Sequence, residues 1–188
     1  INSLQPRISS ANTHIMFGAT EQQGSKYFNG LSIITKDGQS PYHYQKEFLM
    51  PFGEYIPFKS FFSSLGLSKI ISQFVGFTHG SNPSLIQYSN IPFSSAICLE
   101  SCYSKPLQKQ TLDGGQFLTV VVNTAWFSQP KAALQHYHAS ILRAAELERY
   151  LIQSSNNGYS AIIHPSGLVL KTTNYRRQDV ITGKIYPL

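Results

Sequence analysis

The chain has 188 residues, room for one domain spanning 1–188 and hardly for two. Hydrophobic residues make up 41% and aromatics 13%, with charged residues at only 13%, roughly half the ~25% of an average domain, which excludes a disordered tail. Fifteen Lys+Arg against nine Asp+Glu give a net charge of +6, open to nucleic acid, an anionic membrane surface or acidic ligands.

Residues 1–13 are polar and loop-like. His14–Thr20 and Tyr27–Thr35 read as strands, and Lys36-Asp37-Gly38 turns the chain back into Tyr42–Phe48, since Asp-Gly supplies the positive φ of a tight hairpin. Pro51, Gly53 and Pro57 make 50–58 a shaped loop. Residues 58–77 carry many large apolar side chains together with Lys59, Gly66 and Lys69. Strand signals return at Leu85–Tyr88 and Ser94–Cys98, and the apolar run Phe117–Val122 suits a strand buried on both faces. Pro130–Ser154 reads as the clearest helix, with Leu134, His138, Ile141 and Ala145 on one stripe and Asn157-Gly158 closing it. Tyr159–Ile163 and Leu168–Thr173 form a hairpin about His164-Pro165-Ser166-Gly167, and Val180–Tyr186 is a candidate last strand. No repeat or charge block divides the chain, and strands interleaved with helices predict stacked sheets covered by helices.

Cys98 ends an apolar strand at a bend, where a thiol sits at a sheet edge beside backbone N–H groups able to form an oxyanion hole. The alternative for an isolated cysteine is a buried structural thiol. Cys102 lacks CxxC spacing from Cys98, and two cysteines make neither a disulfide framework nor a four-Cys zinc site. Lys46 lies among aromatics and precedes a Pro-Phe-Gly turn bearing Glu54; a Lys/Glu pair beside a cysteine would lower the thiol pKa and steady an oxyanion, whereas a lone lysine is ordinarily a surface charge. His136 and His138 have the wrong spacing for a helix-borne metal site, and His136 reads as structural.

The blocks YQKEFLMPFGEYIP, AICLE (Ala96–Glu100), NTAWF (Asn123–Phe127), QH (Gln135-His136), RAAELER (Arg143–Arg149) and SNNGYSAIIHPSG (Ser155–Gly167) occur in the order of one known family. In them the chain, from about Tyr27 onward, resembles the apolipoprotein N-acyltransferases. These are bacterial inner-membrane enzymes whose extracytoplasmic catalytic domain belongs to the nitrilase, or carbon–nitrogen hydrolase, superfamily. The resemblance implies an α+β fold, a nitrilase-like αββα sandwich, here incomplete at its N-terminal edge. It implies no metal and no cofactor. Cys98 matches the nucleophile that takes an acyl chain as a thioester, Lys46 the triad lysine beside the oxyanion, Glu54 an additional essential glutamate, and Glu100 an orienting group. Leu99, Phe52, Trp126 and Phe127 are candidates for substrate contact, Trp126 and Phe127 equally for core or pocket wall. The implied partners are a phospholipid acyl donor, an apolipoprotein acceptor and a membrane surface, with no nucleic acid because the Lys/Arg residues are scattered.

The family's general base is a glutamate in an upstream Pro-Glu motif, and no Pro-Glu precedes Lys46. Glu21, placed in a polar loop, is left unassigned. Leu99 stands where the family has an aromatic, Thr124 where it has Asp and Ser128 where it has Gly. With Ile1 at its start and no run near ~18 apolar residues, the chain reads as a piece cut from between membrane helices, inactive by itself. Residues 58–77 are then either a core element or an arm whose Phe58, Phe61, Phe62, Leu65, Leu67, Ile70, Ile71 and Phe74 enter the lipid interface while Lys59 and Lys69 meet phosphates. Arg143, Glu146 and Arg149 are helix pairs or a network supporting the site. The alternatives are a soluble amidase of the same superfamily and a non-catalytic truncated remnant.

Overall fold

A computed structural model describes residues 5–11, 13–38, 42–67, 76–81, 85–88, 90–126 and 130–188. After a short helix α1 (Gln5–Ser10), strands β1 (Ile15–Gln23), β2 (Lys26–Ile34) and β3 (Tyr42–Gln45) form an antiparallel sheet in sequence order. Period-two alternation along β2 puts Asn29, Leu31 and Ile33 on one face and Phe28 and Ile34 on the other. A second sheet of six strands runs β4 (Ile86–Tyr88), β5 (Ile91–Ile97), β6 (Leu118–Asn123), β7 (Leu151–Asn156), β8 (Ala161–Ile163) and β9 (Val169–Thr172). β5, β6 and β7 are parallel and the outer pairs antiparallel. Parallel neighbours need crossovers, here α3 (Ser104–Leu112) and α4 (Pro130–Leu147), while the one-turn helix α2 (Lys59–Phe62) precedes β4.

The sheets face each other through Leu31, Ile33 and Tyr44 on one side and Ile86, Phe93 and Ile97 on the other, with Phe93 stacked on Phe117 at 4.7 Å. Leu118, Val120 and Val122 turn to the opposite face of β6 and pack with Leu107 and Ala144 of the two helices. The carboxyl ends of three adjacent parallel strands therefore open on one rim of a layered sandwich. Ligands gather at such a rim in open α/β sheets.

Five expectations change. Residues 1–13, read as loop-like, hold the helix α1, whose Ile8 is buried in the core. The helix predicted over Pro130–Ser154 stops at Leu147: Glu148 turns left-handed at φ 52, and Leu151–Asn156 becomes β7 because its backbone pairs along the whole of β6. The buried stripe is Ala133, His136, Ser140 and Ala144, not Leu134, His138, Ile141 and Ala145. Three of those four are small, letting the helix lie close on the sheet, so Leu134 stays exposed. Val180–Tyr186 forms no strand; it is held by side chains, with Ile185 against the inter-sheet core and the Tyr186 ring 6.0 Å from Tyr150. Glu21 lies inside β1, not in a loop, where hydrogen bonds from Gln45 (2.8 Å) and Gln23 (2.7 Å) hold its carboxyl below its ordinary pKa despite partial burial, with His43 adding to the effect.

Phe58, Phe61 and Leu65 are exposed, Phe58 at 80%, so none is a core residue. Lys69, Ile70, Ile71 and Phe74 lie outside the described residues, as do the side chains of Phe62 and Leu67. No helix among the described residues is long and apolar enough to cross a membrane.

Candidate active site

Lys46 continues the alternation of β3, sharing its inward face with Tyr44, and is 1% exposed. Its backbone is held from both sides: its N–H donates to the Asn29 carbonyl and its carbonyl accepts from Gly80 N–H, each at 2.8 Å. Position 80 has no room for a side chain, since a Cβ there would stand 2.3 Å from the Gln45 carbonyl oxygen.

The Pro-Phe-Gly turn brings Glu54 back to that lysine. Phe52 takes a positive φ of 60°, and the Phe52 amide to Tyr55 and Glu54 amide to Met50 bonds close the turn at 2.7 and 2.8 Å. Lys46 Nζ then stands 2.7 Å from Glu54 Oε2, which also accepts the Met50 amide at 2.7 Å, while Asn29 Nδ2 donates to Oε1 at 2.7 Å. Burial pushes the Glu54 carboxyl up, but Lys46, the Met50 amide and Asn29 together hold it below its ordinary value. The Glu54 carboxylate thus has three partners.

Cys98 is the first residue after β5 and takes φ 54, opening a tight turn through Cys102. Burial pushes its thiol above the ordinary value; Lys46 and the Leu99 amide pull the other way and Glu54 adds to the rise. His136 on α4 lies against it, Nε2 3.7 Å from Cys98 Sγ and Nδ1 3.9 Å from Cys102 Sγ. Burial and the Lys46 charge lower the His136 pKa, keeping the ring neutral at pH 7.

Glu100 is fully buried and binds both sides of the site. Its Oε2 accepts the Ile97 amide at 2.8 Å. Its Oε1 accepts the Glu47 and Phe48 amides at 2.7 and 3.0 Å and the Tyr44 hydroxyl at 2.9 Å. One carboxyl group thus ties the strand ending at Cys98 to the segment carrying Lys46. Burial raises its pKa, against the three amides and Tyr44 that stabilise the charge.

The structure therefore brings Lys46, Glu54, Cys98 and Glu100 to one rim between the sheets. Leu99 is half-buried beside them. Phe52 is exposed, and Trp126, at 85% exposure, is neither core nor the wall of a closed pocket; Phe127 and Ser128 lie outside the described residues. Thr124 is buried and spends its hydroxyl on the Asn156 carbonyl at 2.8 Å. Arg143 pairs with Glu146 at 2.8 Å, Ser104 donates to the same carboxylate, and Arg149 reaches the Gly115 carbonyl, so these residues brace α4 and α3 away from the thiol. Among the described residues no three His, Cys, Asp or Glu side chains converge as metal ligands. Sequence reasoning named His136 but not its contact with both sulfurs, and it missed Asn29. The signal for Asn29 was its parity with Leu31 and Ile33, a polar side chain on an inward face.

With this geometry in hand, comparison with known proteins is specific. The carbon-nitrogen hydrolase family profile matches residues 4–187. The apolipoprotein N-acyltransferase of Synechocystis sp. is 34% identical over 176 residues, covering 92% of this chain and 33% of that protein. That of Coxiella burnetii is 31% identical over 197 residues, 100% of this chain and 38% of that protein. The chain spans about a third of the length of these curated relatives. Among solved structures, the NitN amidase from Nesterenkonia sp. AN1 superposes with a TM-score of 0.67 at 14% identity, over 93% of this chain and 64% of that one. That likeness is one of fold: the α+β sandwich is nitrilase-like, and the resemblance read from the sequence blocks holds.

Proposed function

The chain belongs to the carbon–nitrogen hydrolase family, and on that premise we propose that it carries the nucleophile side of an acyltransferase site using a phospholipid donor and an apolipoprotein acceptor. The observation that carries this reading is the buried Lys46–Glu54 pair at the rim where β5 ends in Cys98. The Cys98 thiol gives its proton to a general base, which the family resemblance places in an upstream Pro-Glu motif. The thiolate attacks the ester carbonyl, and the oxyanion that forms is met by the Lys46 ammonium and the N–H groups of the turn after Cys98. Collapse breaks the ester C–O bond; the glycerol oxygen takes a proton and leaves as a lysophospholipid. The amino group of a diacylglyceryl-cysteine then attacks the thioester, loses a proton as the amide forms, and returns the thiol.

Glu54 aims Lys46, and Glu100 sets the spacing between Lys46 and Cys98. The exposed Phe58, Phe61 and Leu65 favour this reading over a soluble amidase, because a site that draws acyl chains from a bilayer needs an apolar surface to meet it. On this reading the domain works on the extracytoplasmic face of a bacterial inner membrane, as the family resemblance implies.

Mass spectrometry of the intact protein given phospholipid alone tests the scheme. An acyl adduct on Cys98 is expected, absent in Cys98→Ala. No adduct, or acyl transfer by Cys98→Ala, overturns it. Flotation with liposomes separates the amidase alternative, which stays in solution.

A further inference from the structure

A second concavity opens on the same rim, at the carboxyl end of β7. It encloses about 430 Å³ and is lined by polar residues and one glycine, with Ser155, Ser160, Thr173, Arg176, Arg177 and Asp179 among them. The Ser160 hydroxyl oxygen accepts the Ser155 amide at 3.1 Å and the Thr173 hydroxyl oxygen accepts the Ser160 amide at 2.9 Å. Each oxygen being occupied as an acceptor, its O–H proton remains to donate into the cavity. Arg176 lies over the Tyr175 ring, 5.3 Å from its centroid. Asp179 Oδ1 accepts the Val180 amide at 2.8 Å, and the lining counts two arginines against this one aspartate. Hydroxyl donors with paired arginines suit a phosphate.

Its position relative to the thiol is fixed by register. Ile97 pairs with Val121 and Val121 with Ser154, so Cys98 leaves its strand level with Ser155, two strands away. Two spacings of about 4.8 Å put them roughly 10 Å apart. In a glycerophospholipid the carbonyl carbon of the sn-1 ester is six bonds from the phosphorus, the length of two extended residues, about 7 Å. Ser155 forms the near wall of the cavity, and Arg176 and Arg177, which follow β9, line it from the far side.

We propose that this cavity binds the phosphodiester of the acyl donor and so places its glycerol ester at Cys98, an inference that rests on the acyl-transfer reading. The same chemistry would take free phosphate, so the test separates the two. The intact protein is titrated calorimetrically with monomeric dihexanoyl phosphatidylglycerol, with dihexanoylglycerol and with inorganic phosphate. The phosphatidyl compound is expected to bind at least tenfold more tightly than either of the others. R176A/R177A weakens it tenfold or more, R176K/R177K about threefold, and D179N tightens it about twofold. Equal binding of inorganic phosphate, or unchanged binding by R176A/R177A, overturns the assignment. In the acylation assay R176A/R177A raises the phospholipid KM with little change in kcat. An unchanged KM removes the lipid site and leaves acyl transfer standing. No adduct on wild-type Cys98 removes acyl transfer, and the calorimetry still decides whether phosphate binds there.

Discussion

Two neighbouring stretches invert the usual rule for soluble proteins, in opposite senses. From Lys46 to Glu54 the chain buries charge; from Phe58 to Leu65 it exposes aromatic and aliphatic side chains. The first stretch is fully partnered within the protein, with lysine on glutamate and Glu54 further held by Asn29 and the Met50 amide. In the second, Phe58, Phe61 and Leu65 present their apolar surface to solvent. A buried charge is tolerable only with its partners in place, so the first stretch is rigid by necessity. The second offers apolar surface that a ligand outside the protein can cover.

That contrast breaks first at Glu100. Glu100→Ala strands three amides and the Tyr44 hydroxyl, and should cost about 4 kcal/mol, read as a fall in the urea midpoint together with loss of the Cys98 adduct. Lys46→Met leaves the Glu54 carboxylate buried without its cation, at about 3 kcal/mol. Adding Glu54→Gln should return part of that in a double-mutant cycle; strict additivity would show the two side chains to be uncoupled. Gly80→Ala drives a methyl into the Gln45 carbonyl and should cost about 2 kcal/mol, with the phospholipid reaction slowed because Lys46 moves with its backbone.

The pH dependence sharpens the same contrast. Glu54 has a depressed carboxyl pKa, so its contribution is complete above the ordinary carboxylate value and is lost as pH falls through the folded one. The stability gap between wild type and Glu54→Gln should therefore close on acidification; a gap that widens would contradict the ion pair. The smallest effect on stability belongs to the exposed stretch. Phe58→Ser/Phe61→Ser/Leu65→Ser should change the urea midpoint by no more than about 0.5 kcal/mol, while partition onto anionic vesicles falls several-fold. A large loss of stability would make these side chains structural.

The strands of the inter-sheet core, the Asp-Gly turn and the Pro-Phe-Gly loop were legible because local chemistry decides them: alternation along β2, positive φ at Gly38 and the breaks at Pro51 and Pro57. The end of α4 was not. LIQSSN continues a helical composition, and only the open parallel edge of β6 makes it a strand. The stripe on α4 failed for a related reason. Helical spacing marked the larger side chains, while close packing on the sheet selected Ala133, Ser140 and Ala144. Of the site, Cys98, Lys46, Glu54 and Glu100 were readable as residues from the family blocks, but not the means of their assembly. That Glu100 spans both sheets, and that His136 touches two sulfurs, depends on contacts between elements far apart in sequence.

Cys98 carries one more consequence. A cysteine at φ 54 sits where a side chain costs about 1–2 kcal/mol and glycine costs almost nothing. Lineages in which the reaction ceased to matter would drift toward glycine or asparagine at position 98, each step easing the fold. On the proposed reading, the thiol at this left-handed position is kept for acyl transfer, against the pull of the chain's own stability.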